Sequence, residues 1–170
     1  MKSLIAFACF IAAAAAQTAA PVKVCIQTPS NVSHLAVAPE ALRSRLIDEI
    51  VHDKKAKGTL DVVPIPGGDP ADTAHDENCR LIVTTRFEQS FGYVAHNEDP
   101  ASHTPPITAG GTLATRRATL AYSIARADGT GHVDEGGIPL RAGGDDSGAA
   151  ARAIDDLAPR VVHTAVKSKP

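Results

Sequence analysis

The chain has no tryptophan, one methionine, two tyrosines and four phenylalanines in 170 residues. A buried large apolar side chain contributes about 1.5–3 kcal/mol, and few such residues are present. The 44% apolar fraction rests largely on 30 alanines, which bury little area, so the sequence predicts a modest core. There is also no excess of charge of one sign. Seventeen basic residues stand against nineteen acidic ones, which excludes a strongly basic nucleic-acid binder and gives no reason to expect nucleic acid as a partner. After residue 16 no apolar stretch approaches the ~20 residues of a spanning helix. No Gly-x-Ser-x-Gly elbow and no Gly-x-x-x-x-Gly-Lys-Ser/Thr phosphate loop occurs in the sequence.

What is present begins with a targeting signal. Lys2 supplies a positive start, Leu4 to Ala16 is an apolar run, and Ala14 and Ala16 give the small-x-small pattern cut before Gln17. This is the form of a secretory signal peptide over residues 1–16. The run of about 13 residues is too short for a membrane anchor. Cys9 lies early in it, without the Leu that usually precedes a lipidated Cys by three, and is expected to leave with the signal. Loss of Lys2 takes the basic residues to 16 against 19 acidic, a net charge of −3. The remaining chain is expected in the periplasm or outside the cell, with no membrane span. It keeps two cysteines, Cys25 and Cys79. An oxidising compartment favours a disulfide between them. Two buried free thiols fit the same sequence, because spacing alone cannot place two Cα atoms in bridging range.

Residues 17–166 read as a single α/β (α+β) domain, followed by a tail at 167–170. Val22, Val24 and Ile26 alternate in a first strand, stopped at Pro29, Ser30 and Asn31. A helix follows from about Pro39 to His52, with Leu42, Leu46 and Ile50 at helical spacing beside Ile47 and Val51. Leu60 to Ile65 reads as a second strand and Pro66 to Asn78 as a loop. Arg80 to Glu88 alternates most clearly, with Leu81, Val83, Thr85 and Phe87 on one face. From 89 to 117 the pattern is lost among Pro100, Pro105, Pro106, Gly110 and Gly111, which marks a long irregular insertion. Ala118 to Ala127, the turn Asp128-Gly129-Thr130-Gly131, and His132 to Leu140 read as a hairpin. Asp146 or Ser147 is expected to cap a closing helix through about Ala165, with Ala150, Ile154, Leu157 and Val161 inward and Pro159 kinking or dividing it. The predicted fold is one mixed sheet of about five strands with two helices on one face, in the order β-α-β-β-β-β-α.

Two stretches carry a family resemblance. Cys79-Arg80-Leu81-Ile82-Val83-Thr84-Thr85-Arg86-Phe87 is one, and Tyr122-Ser123-Ile124-Ala125-Arg126-Ala127-Asp128-Gly129-Thr130-Gly131-His132-Val133 is the other. Together they cover about a fifth of the chain. In that element order they resemble the small α/β domain of bacterial envelope assembly proteins. These include the curli-secretion-channel assembly family, the penicillin-binding-protein activator lipoproteins and the amino-terminal domain of the Tol-Pal propeller protein. The resemblance implies a small α/β fold that works by binding another envelope protein, without catalysis and without a cofactor.

Gly143-Gly144-Asp145-Asp146 resembles the Gly-Gly-Asp-Glu signature of nucleotide cyclases, but a charged helix cap explains it better in a secreted chain. His132, Asp134 and Glu135, with His75, Asp76, Glu77 and His96 or His103, are N/O ligand types. They lie in separate loops, so solvated histidines are the simpler reading and no metal is assigned. Arg86, Arg126 and the pair Arg116-Arg117 read as edge charge that discourages sheet-to-sheet association. Asn31-Val32-Ser33 matches a glycosylation sequon that the bacterial resemblance makes irrelevant. No catalytic set is named. Within the insertion Phe91, Tyr93, Val94 and Ile107 are apolar anchors for a partner contact, or fold back over the sheet. The expected function is a non-catalytic interaction module of the cell envelope. A small secreted hydrolase with a His/Asp site and a small-ligand-binding protein are the alternatives.

Overall fold

In the computed structural model, residues 20–33, 35–67, 74–75, 77–93, 114–141 and 145–168 are described, with side chains left out at 90–93 and 114–117. Six strands and two helices run in the order β1 (Val22–Gln27), β2 (Ser30–Asn31), α1 (Pro39–His52), β3 (Leu60–Ile65), β4 (Leu81–Tyr93), β5 (Ala114–Arg126), β6 (His132–Pro139) and α2 (Asp146–Lys167). They form one mixed sheet in the order β3-β1-β4-β5-β6. β1 pairs in parallel with β3 and β4, while β4, β5 and β6 are antiparallel. This is the α/β class and the order read from the sequence, with one strand added. That strand, β2, lies where Pro29, Ser30 and Asn31 were read as a stop. The chain resumes pairing after Pro29, with Ser30 and Asn31 set beside Arg86 and Phe87.

Strand alternation divides the core. Val22, Val24, Ile26, Leu81, Val83, Phe87, Leu120, Tyr122, Ile124 and Ile138 face the helices and are buried with Leu42, Leu46 and Ile50 of α1 and Ile154, Leu157 and Val161 of α2. Phe87 is the largest fully buried side chain among the described residues. α2 also buries Ala150, Ala153, Ala158 and Ala165, which is where part of the alanine content goes. On the opposite face a smaller cluster joins Cys25, Ile65, Ala74 and Ile82 with Val63, Cys79 and Ala127. β1 is therefore buried on both faces, as parallel central strands are. Cys25 and Cys79 are disulfide-bonded across this second cluster, with Cα atoms 5.8 Å apart.

The expected cap of α2 changes, and Pro159 does not divide the helix. The cap is Asp145, not Asp146 or Ser147: its Oδ1 accepts from Gly148 N at 2.9 Å. Asp146 instead accepts from Ala36 N at 3.1 Å and ties the helix start to the segment before α1. Pro159 lies inside the helix, which runs unbroken from Asp146 to Lys167. Its ring is on the exposed side, so water can take the Asp155 carbonyl that loses its partner, while the buried residues on either side hold the helix to the sheet. The helices are clamped by Arg45, whose Nε and Nη2 donate to Asp155 Oδ1 and Oδ2 at 2.6 and 2.9 Å. Asp155 raises the Arg45 pKa above its already high value, chiefly through that hydrogen bond. β4 and β5 also run further than expected, and the flanks of the 89–117 stretch are strand up to Tyr93 and from Ala114.

Candidate functional site

The face of the sheet away from the helices is where polar side chains gather. On β4 it carries Thr84, Arg86 and Glu88, and on β5 Ala121 and Ser123. Arg86 pairs with Glu88. At the β5–β6 turn, Ser123 Oγ and His132 Nδ1 are 2.7 Å apart, and Glu135 Oε2 stands 4.0 Å from the same Nδ1. A serine beside a histidine beside a carboxylate invites comparison with a nucleophile relay. Such a relay needs the acid on the ring nitrogen that does not face the serine. Here both contacts fall on Nδ1, and the His132 and Glu135 side chains are 63% and 71% exposed. The arrangement pins the hairpin and lacks the orienting contact that acyl transfer requires. Ser123 was not singled out in the sequence. Pairing Ala125 with His132 makes Ser123 its diagonal neighbour, so the hairpin register is the signal that finds it.

The remaining sequence candidates separate. Asp134 pairs with Ile124 in the ladder, on the helix side of the sheet. His75 is exposed on a helical turn, and Glu77 takes Lys23 Nζ at 3.3 Å. Among the described residues no group of three or more His, Cys, Asp or Glu is placed to hold a metal ion. Phe91 and Tyr93 lie on β4, in register with Arg116 and Ala114. Val94 and Ile107 lie outside the described residues, as do Asp76, His96, His103, Gly143 and Gly144. Asn31 of the sequon closes a local turn: its Oδ1 accepts from Ser33 N at 3.2 Å and its Nδ2 donates to Leu35 O at 3.0 Å. At the turn Asp128-Gly129-Thr130-Gly131, Asp128 Oδ1 accepts from Thr130 Oγ1 at 2.6 Å and from Thr130 N at 2.9 Å. Those bonds, the hydroxyl first, hold the Asp128 carboxyl below its ordinary range.

Shallow hollows mark the surface of the described residues. One of about 480 Å³ opens beside Cys79, Arg80, Arg126 and Asp128. One of about 310 Å³ lies over Gln27, Thr84, Arg86 and Ser123. A third, about 360 Å³, is a groove between β6 and α2 lined by Gly137, Ile138, Pro139, Arg141, Asp156 and Arg160. Its wall has a specific construction. The Tyr122 ring lies across Gly136, where a Cβ would stand 3.1 Å from Tyr122 Oη, so a side chain here would crowd the ring. Arg160 Nη1 donates to Tyr122 Oη at 3.3 Å, with its guanidinium carbon 5.9 Å from the ring centroid. Arg141 and Asp156 approach to 3.6 Å.

No family model matches the chain. No curated protein matches it either. Solved structures do. A PelC dodecamer from Paraburkholderia phytofirmans superposes with a TM-score of 0.52 at 19% identity, covering 82% of this chain and 88% of that one. A second PelC dodecamer from the same organism, in another crystal form, gives 0.50 at 16% identity, over 88% and 90%. The hypothetical protein CT253 from Chlamydia trachomatis gives 0.50 at 8% identity, over 86% and 99%. What they share with this chain is the fold. They support the small α/β architecture that the strand motifs imply, and not the particular families named for it. Among the described residues no helix is long and apolar enough to cross a membrane.

Proposed function

We propose that the protein is a non-catalytic interaction module of the bacterial cell envelope, exported by its first 16 residues and working by contact with other protein chains. The observation that carries this reading is the β4–β5 hairpin. Its ladder runs from Leu81↔Arg126 to Tyr93↔Ala114, whereas β1 pairs with β4 only as far as Val83, β2 meets it at Arg86 and Phe87, and the contact of the last strand with β5 ends at the bond from Leu140 N to Ala118 O. Among the described residues, the part of the hairpin beyond Gln89 and Ala118 is thus a two-stranded arm, and two strands alone are marginal in water. A partner surface supplies the missing burial, with Phe91, Tyr93, Val94 and Ile107 as the apolar residues offered to it. The disulfide supports an oxidising compartment. The PelC neighbours are dodecamers, which supports self-association as one form that contact takes.

Native mass spectrometry of the protein from its own envelope tests this. The expected spectrum shows a chain lacking residues 1–16, without bound metal, in complex with further copies or another envelope protein. Replacing both Phe91 and Tyr93 by Ser is expected to abolish that complex while leaving the melting temperature within about 4 °C of the parent, a loss of under roughly 1 kcal/mol. A lone chain with stoichiometric metal would overturn the reading.

A further inference from the structure

We propose that the outer edge of β6 is a strand-addition site for an extended peptide segment of a partner protein, bearing a carboxylate at the Pro139 end of the groove. The proposal rests on the interaction-module reading and gives it a second surface and a chemistry.

The sheet ends in β3 on one side and β6 on the other, and the two edges differ in what they offer. In an antiparallel ladder alternate residues turn their N–H and C=O toward one neighbour. Leu140 N donates to Ala118 O and Arg126 N donates to Gly131 O. With the register Leu120↔Ile138, Tyr122↔Gly136 and Ile124↔Asp134, the groups of Asp134, Gly136 and Ile138 point inward to β5. Those of Glu135, Gly137 and Pro139 point outward. Pro139 therefore lacks an N–H only on the free side, and Glu135 and Gly137 present donor and acceptor together.

β3 is closed by the same logic. Val22 N donates to Thr59 O and Thr28 N to Ile65 O, so Asp61, Val63 and Ile65 face β1 while Leu60, Val62 and Pro64 face out. Leu60 N already donates to Ala56 O, and Pro64 has no N–H. Among the described residues only Val62 keeps an outward donor, too little for a ladder. An added strand can dock at β6 and not at β3.

The flank of β6 sets what that strand carries. Exposed Gly136 and Gly137 leave the edge without side chains that would hold a second backbone away. Arg160 and Arg141 line the groove toward Pro139. Arg160 has Tyr122 Oη for a partner and, among the described residues, no carboxylate. Arg141 meets Asp156 only at 3.6 Å, with both side chains more than half exposed. Asp134 and Glu135 occupy the opposite end of the strand. A peptide strand with an Asp or Glu opposite Gly137–Pro139 and a basic or neutral residue opposite Glu135 fits this polarity.

A phage-displayed library of random heptapeptides, selected on the disulfide-bonded mature chain, tests the proposal. Enriched sequences should be rich in β-branched residues with an acid toward one end. A synthetic copy of one should shift the amide resonances of Glu135 and Gly137. Glu135→Pro removes one outward N–H, and Glu135→Val removes the charge but keeps it. Binding should fall about tenfold or more in the first relative to the second, and about tenfold in Arg160→Ala. Melting curves of each variant confirm that the fold is kept. Equal binding by the Pro and Val variants, peptides that shift resonances elsewhere, or no enrichment would overturn it. So would self-association of the free chain that Glu135→Pro abolishes, which would make a second copy the occupant. A chain that enriches no peptide yet keeps its complex in native mass spectrometry would sink the edge and leave the module reading standing.

Discussion

Single side chains show how the β5–β6 hairpin is locked. Asp128 accepts from both the hydroxyl and the amide of Thr130, and those bonds lower its pKa. A carboxyl with a lowered folded value stabilises the fold fully above its unfolded value of about 3.9. That contribution is lost as pH falls through the lowered value. In an acid titration the Thr130 amide resonance should therefore move with a midpoint below that of an ordinary aspartate. Asp128→Asn should remove the transition. A midpoint at or above about 4 would show that the bonds do not favour the charged form. The turn itself was legible, because Asp-Gly-Thr-Gly is a turn sequence at any exposed site. The Ser123–His132 contact was not, because it depends on a register shift between Ile124 and Ala125 that no residue type announces.

Helices and strands were legible to the degree that burial is one-sided. Leu42, Leu46 and Ile50 were read as a stripe and are the buried residues of α1. Leu81, Val83, Thr85 and Phe87 likewise share the helix-facing side, and all are buried. Strand ends were less legible. The sequence at 89–93 and 114–117 loses its alternation, yet the ladder continues, since backbone pairing with a neighbour does not require an apolar face. Helix starts depend on one side-chain oxygen, and the cap read at Asp146 or Ser147 lies earlier, at Asp145. Asp145 is the cap by geometry, so Asp145→Ala should cost about 1 kcal/mol in a urea melt. Asp146→Ala should instead free the segment at Ala36 and leave the amide of Gly148 protected from exchange. The reverse outcome would place the cap at Asp146.

The molecule as a whole is held at two depths. One layer of helices covers the larger core, and the disulfide closes the smaller one. Cys25 and Cys79 are 54 residues apart, and cross-links over loops of that length typically contribute about 2–4 kcal/mol. Reduction, or Cys79→Ala, should lower the urea midpoint accordingly. Amide exchange should rise first around residues 74–80, over Ile65 and Ile82. An unchanged midpoint would show that the second cluster holds without the bond. The pairing was left open by the sequence because nothing local sets β1 beside the start of β4. That adjacency is a property of strand order, which emerges only when β1 takes the place between β3 and β4.

Strand order also decides what kind of growth the sheet permits. With β3 left a single outward donor, at Val62, by Pro64 and the Leu60–Ala56 bond, and β6 offering two, each copy has one edge fit for a ladder among the described residues. In the language of polymer chemistry it is monofunctional: a chain stopper. It can end a growing ladder or accept one strand, but it cannot propagate a fibre from copy to copy. Assemblies larger than a pair must then be built through side-chain surfaces such as the β4–β5 arm, and a high local concentration does not carry the usual danger of an unguarded sheet.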